Sequence, residues 1–329
     1  MKLQFLSFTD RGEALAERLA HSMGGAATRC GRGISLHEWT ERGFLEADGL
    51  VFIGAVGIAV RAVAPFLKSK AKDPAVVVLD ETGTFAIPVL SGHLGGANEL
   101  AERAAALCGA TPVITTATDR NGVFPVDLWA KANNCVILNP ERIKRISSRL
   151  LAGGQVPYQS DWPIAGASPH GIISGPGDGF RVSVRSTDGP GLRLVPQIAV
   201  LGVGCRRGTE KEALEESFER LIAAQKLSRE AFFRVCTIDR KKDEPGLLAF
   251  CQANNWELIA YSSDELNAVR GTFSSSDFVR KTVGMDNICE RSAVLGSKGK
   301  LLCAKQAANG VTMAVALRPF HPSWRWRYG

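Results

Sequence analysis

The chain has 329 residues, 45% of them hydrophobic and 22% charged, which is enough to bury more than one core and too apolar for wholesale disorder. Its formal net charge of +7, from 40 Lys and Arg against 33 Asp and Glu, leaves room for an anionic ligand; no dense basic stripe marks a nucleic-acid binder. Met1 to Phe8 lacks the pattern of a secretion signal, and no run of about 18 apolar residues reads as a membrane span. The cysteines (Cys30, Cys108, Cys135, Cys205, Cys236, Cys251, Cys289, Cys303) form no Cys-x-x-Cys pair, which suits buried thiols in a cytoplasmic protein better than a metal site or disulfides.

In chain order, Leu3–Phe8 reads as a strand and Gly12–Met23 as a helix with Leu15, Leu19 and Met23 on one face. Gly49–Ile53 is a strand and Val56–Leu67 a helix that Pro65 should bend. Ala75–Leu79 and Phe85–Leu90 are strands reversed through Asp80-Glu81-Thr82-Gly83-Thr84. Helix Asn98–Cys108, strand Pro112–Thr115, helix Pro125–Asn133, strand Cys135–Leu138 and helix Pro140–Leu151 follow. From Ala152 to Pro196 the chain turns rich in Gly, Pro and Ser and carries short β-like pieces such as Phe180–Val184. A strand at Ile198–Val203 then opens a further α/β section, with Thr209 and Glu212 as an expected capping box. Val235–Ile238, Leu247–Ala253 and Leu258–Tyr261 continue the alternation, and Lys300–Lys305 with Val311–Leu317 make a hairpin turned by Asn309-Gly310.

The expected fold is therefore α/β: an N-terminal doubly wound, mostly parallel sheet (1–134), a small β-containing middle domain (135–196), a C-terminal α/β domain (197–318) and a tail (319–329).

Four stretches at strand ends are placed to meet a ligand, because open α/β sheets bind at that edge. Gly54-Ala55-Val56-Gly57 leads a strand into a helix whose free N–H groups suit a carboxylate or phosphate, with Arg61 on that helix. Those glycines serve a close strand–helix crossing equally well, and Lys68 and Lys70 read as a solvated helix end. Of Asp80 and Glu81, Asp80 suits a local turn, which leaves Glu81 as the candidate base beside Thr82. Ser91-Gly92-His93-Leu94-Gly95-Gly96-Ala97-Asn98 places His93 on a loop as an acid/base candidate, while Asn98 also fits a plain N-cap. Thr116, Asp119 and Arg120 follow a further strand; an Asp-Arg neighbour pair can also be ordinary surface. In the last section Cys205-Arg206-Arg207-Gly208 repeats the strand–glycine–helix pattern with two guanidiniums suited to carboxylates. Walker A and dinucleotide fingerprints are absent, which counts against a nucleotide-dependent enzyme.

Four pieces, FIGAVGIAVRAVAPFLKSKAKDPAVVVLDETGTFAIPVLSGHLGGANELA (52–101), TTATDRNGVFPVD (115–127), LGVGCRRGT (201–209) and SSSDFVRKTVGMDNICERSAVL (274–295), in this order resemble the cobalt-precorrin-5A hydrolase family of anaerobic cobalamin biosynthesis. Residues 319–329, with Trp324, Arg325, Trp326 and Arg327, lie outside that pattern. The resemblance implies hydrolysis of the δ-lactone of a contracted, carboxylate-fringed corrinoid, with loss of acetaldehyde to give cobalt-precorrin-5B. It implies a cobalt-containing precorrin substrate, no cofactor or protein-bound metal, neither nucleic acid nor membrane as partner, and room for a homodimer or transient contact with other enzymes of the pathway. On this reading Glu81 or His93 is the base and the amides of Gly54–Gly57 or Gly92–Gly96 stabilise the oxyanion. Arg61, Arg120, Arg206 and Arg207 hold substrate carboxylates, with Val56, Thr82, Ser91, Gly95, Asn98, Thr116, Asp119 and Cys205 lining the site. A corrinoid carrier without catalysis is the competing reading; it predicts binding without acetaldehyde.

Overall fold

The computed structural model describes residues 1–69, 72–92, 95–115, 122–186, 189–274 and 287–326. They form three mixed sheets within two compact units, Met1–Leu128 and Trp129–Gly329.

The first unit holds a six-stranded sheet made of β1 (Leu3–Ser7), β2 (Gly25–Arg29), β3 (Gly49–Ile53), β4 (Ala75–Leu79), β5 (Phe85–Leu90) and β6 (Thr111–Pro112), in the order β2-β1-β3-β4-β5-β6. All neighbours are parallel except β4 and β5. Period-two alternation sends Phe5, Val51, Ile53, Val77 and Leu79 to one face, against Leu15 and Leu19 of α1 (Asp10–Met23) and Leu100 of α4 (Ala97–Cys108). Leu6, Leu50, Phe52, Val76 and Val78 go to the other face, where Trp39 of α2 (Leu36–Glu46) and Ala59 and Val63 of α3 (Val56–Val63) cover them. Strands β3 and β4 are buried at every position, which is why they read as continuous apolar runs. Helices on both faces make the sheet doubly wound. The chain leaves β1 toward β2 and returns to β3 on the other side of β1, so the carboxyl ends of β1 and β3 flank a topological switch point.

Two elements of this unit depart from the expected outline. Strand β2 is an edge strand of sequence Gly-Ala-Ala-Thr-Arg with little apolar signal. The strand expected over Pro112–Thr115 pairs only at Thr111–Pro112. Helix α3 ends at Val63 and tightens into a single 3-10 turn at Ala64–Phe66, the bend expected from Pro65.

In the second unit, β7 (Cys135–Ile137), β8 (Val156–Ser160), β9 (Ile172–Ser174), β10 (Phe180–Val182) and β11 (Leu192–Pro196) form a sheet ordered β7-β11-β10-β8-β9. A further sheet, β14-β13-β12-β16-β15, comprises β12 (Ala199–Cys205), β13 (Phe232–Ile238), β14 (Glu257–Tyr261), β15 (Lys300–Ala308) and β16 (Val311–Leu317). Val184 and Val195 of the middle region share one core with Leu201, Phe218, Phe232 and Val315. The β15–β16 hairpin turns at Asn309 and Gly310, both with positive φ (51° and 78°), the left-handed pair that Asn-Gly was expected to supply.

The last described residues are structural. Ser323 O accepts hydrogen bonds from Trp129 Nε1 (2.8 Å) and Asn133 Nδ2 (3.2 Å), and Trp324 N donates to Ala165 O (3.0 Å). The Trp324 ring is buried against Trp129, Tyr158 and Phe180. This segment thus closes the middle sheet's aromatic core; burial of a ring of this size contributes about 3 kcal/mol. No helix among the described residues is long and apolar enough to cross a membrane.

Candidate functional site

The candidate residues of the first unit divide between two edges of its sheet. At the switch-point edge stand Gly54, Val56, Gly57, Arg61, Glu81 and Thr82. Ile53 pairs with Leu79, and Gly54 N donates to Leu79 O (2.8 Å), so the loops leaving β3 and β4 start side by side. Helix α3 has no side-chain cap: Ile58 N turns to Ala55 O (3.0 Å), while Ala55, Val56 and Gly57 are exposed. The first-turn N–H groups of Val56 and Gly57 are therefore open to a ligand. The Arg61 guanidinium folds back one turn to donate to Gly57 O (3.2 Å), bringing its charge to that same end of the helix. A Cβ at Gly57 would sit 3.6 Å from that guanidinium, ordinary van der Waals contact, so space alone does not demand glycine here.

Asp80 and Glu81 have separate tasks. Asp80 accepts from the N–H groups of Thr82 (2.9 Å), Thr84 (3.0 Å) and Phe85 (2.6 Å) and from the Thr82 hydroxyl, so it builds the turn. Burial raises the Asp80 pKa, but the Thr82 hydroxyl and the Phe85, Thr84 and Thr82 N–H groups outweigh it and hold the carboxyl below the usual range. Glu81 stays exposed and accepts a 2.6 Å hydrogen bond from the Thr9 hydroxyl, at the end of β1. Thr9 was not singled out from the sequence; a Thr followed by Asp10 and Glu13 at a helix start signalled its capping role, but nothing local pointed to Glu81.

Ser91, Gly92, Gly95, Gly96 and Asn98 sit at the opposite edge. Strand β5 is antiparallel to β4, with Leu90 beside Val76 and Ala86 beside Leu79, so its carboxyl end lies where β4 begins. Ser91 Oγ donates to Asp73 O (2.9 Å), just before β4. The two edges are separated by the length of β4, roughly 13 Å at about 3.3 Å per residue. The Ser91 loop is tight: Ser91 has φ 57°, Asn98 N donates to Gly92 O (3.0 Å), and a Cβ on Gly95 would strike Ser91. Asn98 falls inside α4, whose N-cap is Gly96, so it is not the cap residue. His93, Thr116, Asp119 and Arg120 lie outside the described residues.

In the second unit, Cys205 ends β12, and Arg206 and Arg207 follow it. Arg206 N donates to Gly310 O (3.2 Å), and both arginine side chains are exposed. The expected Thr209–Glu212 capping box does not form. The helix begins at Lys211 with Glu210 as N-cap, and Thr209 Oγ1 donates back to Arg206 O (2.8 Å). What secures the loop is Glu244, which accepts from Gly208 N (2.6 Å) and Lys241 Nζ (2.8 Å). Lys241 and Gly208 hold the Glu244 carboxyl below its ordinary range against burial, with Arg207 adding to the effect. Neither Glu244 nor Lys241 was expected from the sequence. Burial raises the Cys205 pKa despite nearby Lys241, so it stands as a neutral thiol, not an activated thiolate.

Among the described residues, no group of three or more His, Cys, Asp or Glu is placed to hold a metal ion. The edge with Glu81, uncapped amides and a folded-back arginine offers a carboxylate base, oxyanion donors and an anion clamp, the parts that acyl hydrolysis uses.

Known proteins match along most of the chain. The family description "Cobalamin synthesis G N-terminal" fits residues 38–119, "Cobalamin biosynthesis central region" residues 124–175, and "Cobalamin synthesis G C-terminus" residues 199–316. A cobalt-precorrin-5A hydrolase of Salmonella typhimurium is 35% identical over 342 aligned positions, spanning 94% of this chain and 95% of that protein. One from Priestia megaterium is 34% identical, spanning 84% of this chain and 80% of that protein. With this identity across nearly the whole length, the chain belongs to the cobalamin synthesis G family, the cobalt-precorrin-5A hydrolases.

Proposed function

We propose that the chain hydrolyses the δ-lactone of cobalt-precorrin-5A in anaerobic cobalamin biosynthesis and releases acetaldehyde to give cobalt-precorrin-5B. The observation that carries this is the 35% identity to a cobalt-precorrin-5A hydrolase over 94% of the chain.

The switch-point edge supplies the parts for the first step. Glu81 takes a proton from water as the water oxygen bonds to the lactone carbonyl carbon. The amides of Val56 and Gly57 receive the developing oxyanion, and Arg61 holds a peripheral carboxylate. On collapse the acyl C–O bond breaks, and the proton returns from Glu81 to the departing ring oxygen; nothing is oxidised or reduced. Acetaldehyde then leaves as the freed hydroxyl gives up its proton and its C–O becomes the aldehyde C=O; the bond between that carbon and the macrocycle breaks, and the electron pair left on the macrocycle takes up a proton, so nothing is oxidised or reduced.

The Ser91–Asn98 loop, with His93, Thr116, Asp119 and Arg120, is the second substrate-binding group, and His93 is the alternative acid/base. In the second unit, taken by itself, the exposed guanidiniums of Arg206 and Arg207, next to Cys205, suit substrate carboxylates. Cobalt arrives inside the substrate and the chain carries no cofactor of its own. We place the enzyme in the cytoplasm, with a homodimer and passing contacts to neighbouring pathway enzymes compatible with it.

The test is incubation with cobalt-precorrin-5A and trapping of acetaldehyde. Stoichiometric acetaldehyde is expected; tight binding of the macrocycle with none released would leave only a carrier.

A further inference from the structure

Strands β1 and β4 are not neighbours, because β3 runs between them. At about 4.8 Å per strand, their ends stand about 10 Å apart. The 2.6 Å hydrogen bond from Thr9 to Glu81 closes that gap, linking loops 72 positions apart across the mouth of β3. Gly54 leaves β3 at this point, and a Cβ there would meet the Phe8 ring at 2.8 Å, displacing the residue next to Thr9.

From this geometry we infer that Thr9 is the positioning residue for Glu81, an inference that rests on Glu81 being the base. The direction of the bond is settled by proton count. Thr9 Oγ1 accepts from Gly12 N (3.0 Å), the N-cap bond of α1, and a hydroxyl has a single proton to give. Glu81 accepts that hydrogen bond through Oε2, which leaves Oε1 to take a proton from water. Capping α1 calls only for an acceptor, and Ser, Asp or Asn caps as well as Thr. Donation toward Glu81 is thus a second task that capping does not require. It matters because Glu81 is exposed on a turn and has several rotamers to choose from.

The experiment compares Thr9→Ser, Thr9→Asp, Thr9→Ala and Glu81→Gln in the full chain, following acetaldehyde release for kcat and KM and thermal melting for Tm. Thr9→Ser keeps cap and donor, and turnover within about threefold of the parent is expected. Thr9→Asp keeps the cap but replaces the donor with a like charge beside Glu81, so Tm should hold while kcat falls about 10- to 100-fold at little-changed KM. Thr9→Ala should lose both Tm and kcat. Parent-like kcat in Thr9→Asp, beside an inactive Glu81→Gln, would reduce Thr9 to a cap and overturn this inference alone. Normal turnover in Glu81→Gln would overturn the assignment of the base, and this inference with it.

Discussion

Two turns in this molecule look alike in sequence and are used in opposite ways. Each leaves a buried strand through glycine, enters a helix and carries arginine: Gly54–Arg61 after β3, and Gly204–Thr209 at the end of β12. In the second, the nearby carboxylate, Glu244, is spent inside the loop on Gly208 N and Lys241. In the first, Glu81 is held from outside by Thr9 instead; the helix that follows lacks a side-chain cap in both turns. A glycine-rich strand-to-helix turn is therefore no indicator of a site by itself. What counts is whether the fold uses the turn's donors and acceptors or leaves them open.

The largest expected effect divides the two carboxylates. Glu81→Gln should lower turnover by about 100-fold or more, the usual contribution of a positioned base, with Tm unchanged. Glu244→Gln should do the reverse, lowering Tm by about 2–6 °C with only a modest change in turnover. If Glu244→Gln cost more turnover than Glu81→Gln at intact Tm, the roles of the two turns would have to be exchanged. His93→Ala belongs in the same series, since the sheet separates Glu81 from the loop that flanks His93. Near-parent turnover there, beside a dead Glu81→Gln, would put the base at the switch-point edge.

Next in size is Gly246→Ala. Gly246 lies in the first turn of the helix Pro245–Asn254, and a Cβ there would lie 2.0 Å from Thr209 O, so the start of that helix must move off the Arg206–Glu210 loop. A loss of about 1–3 kcal/mol is expected in chemical denaturation. A neutral result would show that this loop yields easily and is not the fixed partner in the comparison.

Acid sharpens the contrast further. Asp80 and Glu244 are both held below their ordinary range, so each adds stability that is present above its unfolded pKa and lost as pH falls through its folded value. Below about pH 4 the Tm should drop, and Asp80→Asn and Glu244→Gln should each flatten part of that slope. An unaltered acid limb in both would remove these carboxylates from the stability balance.

The smallest effect separates the arginines. Arg61→Ala should raise KM about three- to tenfold while leaving Tm in place. Arg207→Ala should also raise KM and, because Arg207 helps keep Glu244 ionised, should slightly raise the pH at which stability is lost.

Much of this architecture was legible beforehand, for reasons that can be named. Strands β3 and β4 announce themselves because burial on both faces demands unbroken apolar residues. The β15–β16 turn was readable because few residue pairs other than Asn-Gly accept two positive φ angles in succession. Strand β2 was not, since an edge strand of Gly, Ala and Thr buries almost nothing. Thr209 was misassigned as a cap because its hydroxyl has a competing acceptor, Arg206 O, in the same turn. Within the candidate site the residue types at the strand ends were visible, but their grouping was not. That the stretch from Gly54 to Asn98 serves two edges follows from the reversal at β4–β5. The Thr9–Glu81 and Gly208–Glu244 pairings depend on which loops the topology brings together.

The Trp324 clasp has a consequence for biogenesis. Trp129 and its partner Ser323 are 194 positions apart, so on the ribosome the middle sheet must wait roughly 10–40 s for the residues that complete it. During that interval Tyr158, Phe180 and Trp129 lack the ring that covers them. A nascent chain of this protein thus presents an aromatic patch until the Trp324 segment emerges, which makes the middle sheet the place where chaperones would bind and where proteases would recognise a product cut short before it.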